Sequence, residues 1–246
     1  MSYRLALAFS AALALPAAAQ EMTADERAAF RAEVRAYLME NPEVLMEAIG
    51  VLEQREATAA AQADSDMVSR NAAALFDDGH SFVGGNPDGD ITIVEFMDYR
   101  CGYCKRAHPE VTALLAADPN IRYVIKEFPI LGEQSDLASR YAIAVQLMEG
   151  DETYKTVHDT LIEFRGDVSD ASLSQVSGAF GFDHAALSDL MAGPEVSEII
   201  AKNRQLGQQL QISGTPSFVF EDQMVRGYVP LAQMEAIVAQ VRADAG

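Results

Sequence analysis

An α/β domain carrying an inserted helical block is the fold class this sequence predicts, on three observations. First, the β-branched run "ITIVEF" (91–96) has the length and flanks of a buried strand. Within five residues comes a Cys-x-x-Cys turn, then a helical pattern through "CKRAHPEVTALLAA", then a second apolar run, "IRYVIKEF" (121–128). Strand, helix, strand is the order of a βαβ unit, which needs a crossover and gives parallel strands. Second, from Gln134 to about Gln209 the pattern is almost wholly helical, in five segments separated by Gly, Asp and Pro. Third, short strands return at "SFVFED" (217–222) and "MVRGYV" (224–229), with a tight turn near Gln223. A helix from Leu231 to Arg242 closes the chain. No internal repeat is present.

Ahead of this domain the elements are helical. Residues 23–40 place Phe30, Val34, Tyr37 and Leu38 at helical spacing among charges, and Asn41-Pro42 ends that helix. Asn at an N-cap and Pro at the first helical position would start the next. The second helix carries Leu45, Ile49 and Leu52 on one stripe, then turns from Glu53 to Ala63 to Ala, Gln, Glu and Thr, too poor in large apolar residues to bury itself. This amphipathic arm needs a partner surface, either its own domain or copies of itself; the three stripe residues cover too few heptads to decide.

The first nineteen residues read as a secretory signal peptide: the basic start "MSYR", the apolar run "LALAFSAALALP" and the small residues Ala17, Ala18 and Ala19. That run is shorter than the roughly 20 residues that span a bilayer. The expected organisation is a signal peptide at 1–19, an arm at 20–76, and an α/β domain at 77–246 with its helical insertion at about 133–209. Export to a bacterial periplasm follows. The formal net charge of −19 repels phosphate backbones, so nucleic acid is excluded as a partner.

Both cysteines of the chain lie in "YRCGYCKRAHPE" (99–110), as Cys101 and Cys104. At i and i+3 on the first turn of a helix they fall within the Cα separation a disulfide accepts, so the pair can open and close. Cys101, at the helix N-terminus, meets unpaired N–H groups and the positive end of the dipole, which favour thiolate. It is the natural attacking sulfur, and Cys104, one turn inside, the resolving one. Lys105, Arg106 and His108 add positive potential if they face the sulfurs. A structural zinc site would need about four ligands, and no second cysteine pair or local histidine pair supplies them. No metal or other cofactor is therefore expected. A static staple closing so small a loop would stabilise little.

The stretches "GGNPDGDIT", "VEFMDYRCGYCK", "KEFPILG" and "SGTPSFVF" together resemble the DsbA family of thioredoxin-fold periplasmic disulfide oxidoreductases, over residues 81–244. The arm "YLMENPEVLMEAIGVLEQR" resembles the N-terminal segment of the family's ScsC-like branch, linked to copper tolerance, in which it trimerises the protein. The resemblance implies a thioredoxin fold with an inserted helical subdomain and an N-terminal helical arm. It identifies Thr215-Pro216 as the family's cis-proline pair, beside the cysteines and offering backbone hydrogen bonds to an extended substrate. It identifies Glu95 as a buried acid assisting proton transfer; from pattern alone, a solvent-exposed strand-end carboxylate is the equal alternative. Lys126 is then its candidate charge partner. Pro109, inside the active-site helix, is scaffold.

The intervening dipeptide, Gly102-Tyr103, tunes the redox poise. It lacks the histidine of strongly oxidising members and resembles the dipeptide of disulfide isomerases. The expected activity is disulfide isomerisation, formation, or both, in exported cysteine-containing proteins, recycled by a membrane redox partner and assisted by oligomerisation through the arm. A plain oxidase, a periplasmic Cu(I)-binding protein using the same thiols, and an interaction protein acting through its helices remain alternatives.

Overall fold

The computed structural model describes residues 22–245, so the expected signal peptide at 1–19 lies outside the described residues. The chain divides into two compact units, one ending at Glu56 and one beginning at Ala57.

In the first unit, α1 (Ala24–Glu40) opens on a capping box. The Thr23 hydroxyl accepts from the Glu26 amide, and the Glu26 carboxylate accepts from the Thr23 amide. The helix buries none of its residues, and Phe30, Val34 and Tyr37 are exposed. Asn41 caps the end of this helix: its backbone and side-chain N–H groups both donate to the Tyr37 carbonyl, at 2.8 and 2.9 Å. The side chain thus serves the helix before it, in place of the expected N-cap role. The next helix, α2 (Glu43–Arg70), begins two residues later, with Leu45, Ile49 and Leu52 all exposed.

In the second unit, a five-stranded sheet has the order β1-β3-β2-β4-β5. The strands are β1 (Phe82–Gly85), β2 (Ile91–Met97), β3 (Ile121–Glu127), β4 (Ser217–Phe220) and β5 (Gln223–Arg226). Strands β2 and β3 are parallel, joined through α4 (Gly102–Ala117), as the βαβ reading requires. The other three pairings are antiparallel. The final hairpin turns at Glu221 and Asp222, immediately before Gln223, and α10 (Leu231–Ala245) follows.

Alternation along the central strands builds two cores. Ile93, Met97, Tyr123 and Ile125 face a large core. It is closed by α4, by α10 and by the inserted helices α5 (Glu133–Glu149), α6 (Asp151–Glu163), α7 (Asp170–Phe180), α8 (His184–Ala192) and the start of α9 (Pro194–Gln209). Val94, Phe96, Val124 and Val219 face a second core with Leu206 and Leu210. The end of α2 and the short α3 (Ala72–Phe76) complete it, burying Met67, Val68 and Leu75. The arm was expected to run to 76; these apolar residues are why the second unit begins twenty residues earlier. Asp64 pairs with Arg226 at 2.8 Å and Ser65 bonds Asp222 at 3.1 Å, fixing the same segment.

The strand at 82–85 was hidden in the sequence by its glycines, which read as part of a turn. Gly85 has φ +67°, and a Cβ there would meet the Ile121 carbonyl oxygen, so the edge strand ends where only glycine fits. No helix among the described residues is long and apolar enough to cross a membrane.

Candidate active site

At the C-terminal end of β2 the chain turns through Asp98, Tyr99 and Arg100 into α4, with Cys101 as its N-cap. Asp98 organises this turn. Its buried carboxylate accepts from the Arg100 amide (2.8 Å), the Ile130 amide (2.8 Å) and the Leu131 amide (3.1 Å), and its carbonyl accepts from the Cys101 amide (3.0 Å). The cysteine turn and the loop after β3 are thereby tied to one carboxylate. In sequence this residue reads only as a turn aspartate.

Both thiols are reduced, and the two differ in setting. Cys101 is 7% exposed and Cys104 1%. A hydrogen bond from the Cys104 thiol, outweighing partial burial, lowers the Cys101 pKa to about 5, with further help from the Thr215 side chain and the Cys104 and Tyr103 amides. This is helix N-terminal stabilisation of a thiolate by real donors. Burial pushes the Cys104 pKa well up, reinforced by its bond to Cys101 and by the charge of Glu95. One sulfur is held as thiolate and the other as thiol, which is the division of labour that disulfide exchange requires.

Thr215 and Pro216 lie against this pair, joined by a cis peptide bond. Cys101 Sγ is 3.1 Å from the Thr215 carbonyl oxygen, a contact made by the thiol as donor, whereas the Thr215 side chain favours the thiolate. The same residue thus meets both protonation states.

Glu95 is buried on β2 and accepts from Tyr123 OH. Burial raises its pKa to about 7, opposed by the Tyr123 bond and assisted by the charge of Cys101. The solvent-exposed alternative for Glu95 is therefore excluded. Lys126 is not its partner: residues 95 and 126 point to opposite faces of the sheet, since Glu95 stands opposite Ile125 and Phe96 opposite Lys126. Lys126 instead reaches Asp78 at 2.5 Å and the Ala74 carbonyl at 2.7 Å.

The three basic residues after the cysteines are also engaged elsewhere. Lys105 donates to the Phe164 carbonyl, Arg106 lies over the Tyr228 ring at 4.5 Å, and His108 faces Asp159. Their charged ends are taken up by these partners on neighbouring elements, and only Arg106 is off the cysteine face of the helix. Of the intervening dipeptide, Tyr103 is 61% exposed beside Tyr228, and a Cβ on Gly102 would meet nothing within 4 Å. This leaves the approach to Cys101 open on that side. Pro109 lies inside α4 as expected.

A buried polar network behind the site was not legible in the sequence. Glu127 accepts from Tyr99 OH, Tyr154 OH and Ser139 Oγ, each at 2.7 Å, and Tyr99 OH is 3.0 Å from His158 Nδ1. Its members come from β3, the cysteine turn, α5 and α6, so no local spacing reveals them.

The family model for a DSBA-like thioredoxin domain matches residues 92–239, and the model for the N-terminal domain of the copper resistance protein ScsC matches residues 26–59. A thioredoxin-like oxidoreductase from Silicibacter pomeroyi is 42% identical, with a TM-score of 0.65 over 70% of this chain and 97% of that one. Proteus mirabilis ScsC in a transitional conformation is 28% identical, with a TM-score of 0.66 over 91% and 98%. The thiol-disulfide exchange protein alpha-DsbA2 from Wolbachia pipientis is 25% identical, with a TM-score of 0.69 over 74% and 98%. Similarity also extends to two sodium/proton antiporters, NhaA 1 of Salinispora arenicola and NhaA 3 of Salinispora tropica, at 27% and 25% identity. Those matches span 24% and 25% of the antiporters' length. With a reactive-thiol turn beside a cis-proline and two family models in sequence along it, the chain belongs to the DsbA-like thioredoxin-domain family of thiol-disulfide oxidoreductases, with an N-terminal domain of the ScsC type.

Proposed function

We propose that this protein catalyses disulfide exchange in exported cysteine-containing proteins in the periplasm, with Cys101 as attacking sulfur and Cys104 as resolving sulfur. The observation that carries the reading is the placement of Cys101 at the N-cap of α4, 3.1 Å from the Thr215 carbonyl oxygen, with Cys104 buried one turn inside; a Cys101 pKa lowered to about 5 and a Cys104 pKa pushed up by burial agree with it. The signal-like residues 1–19 and the similarity to a periplasmic thioredoxin-like protein from Salmonella enterica serovar Typhimurium, at 31% identity, support the compartment.

In disulfide formation, a client thiolate attacks Cys101 Sγ and the Cys101–Cys104 bond breaks. The electron pair leaves on Cys104, which takes up a proton. A second client thiolate attacks the client sulfur of the mixed disulfide, forming the client disulfide and expelling the Cys101 thiolate. Two electrons have then passed to the cysteine pair, and a membrane-held partner removes them. In isomerisation, the Cys101 thiolate attacks a client disulfide and a different client thiolate displaces it, with no net electron transfer. A protonated Cys104 lets that mixed disulfide persist long enough to rearrange. Glu95, ionised above about pH 7, accepts the Cys104 proton when resolution is needed. Thr215 and Pro216 bind the extended client strand beside Cys101, and Gly102 and Tyr103 tune the poise.

Isomerisation is the favoured direction, with the arm assembling copies of the chain, a homotrimer by family analogy. Two features support this: the exposed stripe of Leu45, Ile49 and Leu52, and the match of residues 26–59 to the ScsC N-terminal domain. Reactivation of scrambled ribonuclease, read alongside sedimentation, tests it. Ile49→Asp with Leu52→Asp should dissociate the assembly and remove most reactivation, while leaving oxidation of a reduced peptide. Unchanged reactivation by a dissociated protein would refute the role of the arm and leave plain oxidation. Cu(I) binding by the two thiols is a second reading, supported by the copper-resistance description of the matched N-terminal domain. Copper that remains bound in Cys101→Ser would dismiss it.

A further inference from the structure

One helical turn beyond Cys104, α4 and α6 bring together three side chains of metal-ligand type. Among the described residues, the ligand atoms of His108, His158 and Asp159 lie within 4.8 Å of one another. His108 Nε2 is 3.3 Å from Asp159 Oδ1, and the two imidazole rings are 5.5 Å apart between centroids. Tetrahedral zinc, with bonds of about 2.0–2.1 Å, sets its ligand atoms about 3.3 Å from one another. The His108–Asp159 pair already stands at that separation.

The orientation of His158 is fixed from behind. Tyr99 OH has one proton and gives it to the Glu127 carboxylate, so toward His158 Nδ1 it acts as acceptor. Nδ1 therefore carries the ring proton, and Nε2 presents a lone pair. A ligand imidazole held by its other nitrogen, with a carboxylate one step beyond, is the outer-shell arrangement of metal-bound histidines. Core packing alone does not require an accessible acid and a second imidazole to converge on His158.

The site has an entrance. A cavity of about 1000 Å³ is lined by His108 and Asp159, together with Lys155 and Glu163. Lys155 Nζ now sits 2.6 Å from both Asp159 oxygens, so this corner already accommodates a cation on a half-exposed, flexible side chain. We propose that His108, His158 and Asp159 form a binding site for a divalent transition-metal ion of the zinc class, separate from the cysteine pair, with its fourth position open to the cavity. Two imidazoles and one carboxylate are the donor set of an open zinc site. In sequence the two histidines share no local motif, and only the packing of α4 on α6 brings them together.

Zinc titration calorimetry tests this on the untagged full chain with Cys101 and Cys104 joined as the disulfide, which removes thiolate ligands. One Zn²⁺ per chain is expected, at least tenfold weaker in His108→Ala and in Asp159→Asn. Lys155→Ala should bind more tightly, because the competing ammonium is gone. Cobalt(II) should develop the visible absorption of a four-coordinate site in the parent and not in His108→Ala, with circular dichroism confirming that the variants fold. Zinc uptake that is absent, or that persists at parental affinity in both His108→Ala and Asp159→Asn, overturns the proposal.

Discussion

Cys101 Sγ and the Thr215 carbonyl oxygen lie 3.1 Å apart across 114 positions of sequence. The start of α4 and the approach to β4 are thus one site, in which Cys101, when protonated, donates to the carbonyl of the residue before the cis-proline.

Thr215→Val keeps the shape and the carbonyl while removing the hydroxyl that favours the Cys101 thiolate. One hydrogen bond to a charged group is worth about 1.5 kcal/mol, so the Cys101 alkylation midpoint should rise by about one pH unit. An unchanged midpoint would mean that the other donors hold the thiolate unaided.

Glu95 has a folded pKa raised to about 7 by burial, from an ordinary 4.5. A raised carboxyl pKa costs nothing while the group is protonated, below about pH 4.5. The cost grows as pH rises through that window and is complete above about 7. Glu95→Gln removes the charge and keeps an acceptor for Tyr123 OH. Urea unfolding should find the variant more stable at pH 8, by about 3 kcal/mol, and equal to the parent at pH 4. Disulfide exchange should lose its pH dependence near 7 and slow above it.

Lys126 is fully buried, and among the described residues its charge partner is Asp78 at 2.5 Å. Asp78→Ala strands that ammonium and should cost about 3–5 kcal/mol in urea unfolding. Adding Lys126→Met should restore most of it, because an apolar side chain suits the second core. A single-variant loss below about 1 kcal/mol would show that the Ala74 carbonyl and water suffice.

Strong local signals carried most of the fold into the sequence reading. The β-branched 91–96, the apolar 121–128 and the cysteine spacing between them specify a parallel pair and its helix without help from distant residues. The strand at 82–85 was missed because its two glycines give no β signal, and its existence depends on pairing with β3. Glu95 was half legible: its strand was clear, but its face and its Tyr123 partner depend on register. Lys126 was assigned to the wrong acid for the same reason, one residue of pleat. Asp98, the Glu127 network and the His108–His158 pair escaped altogether, because each joins elements far apart along the chain.

Cys101 is the stabilised thiolate of the pair and Cys104 the protected thiol. A Cys101 pKa lowered to about 5 from an ordinary 9.0 is a depressed folded value. Its contribution to the stability of the reduced protein is therefore complete above about pH 9 and lost as pH falls through about 5. That favours the reduced form at neutral pH and makes the pair a better oxidant. The most direct test is the rate of iodoacetamide alkylation of the reduced protein from pH 3 to 10, with the modified residue identified by mass spectrometry. Modification is expected at Cys101 alone, with a midpoint near pH 5. A midpoint near 8 to 9, or equal modification of Cys104, would contradict it.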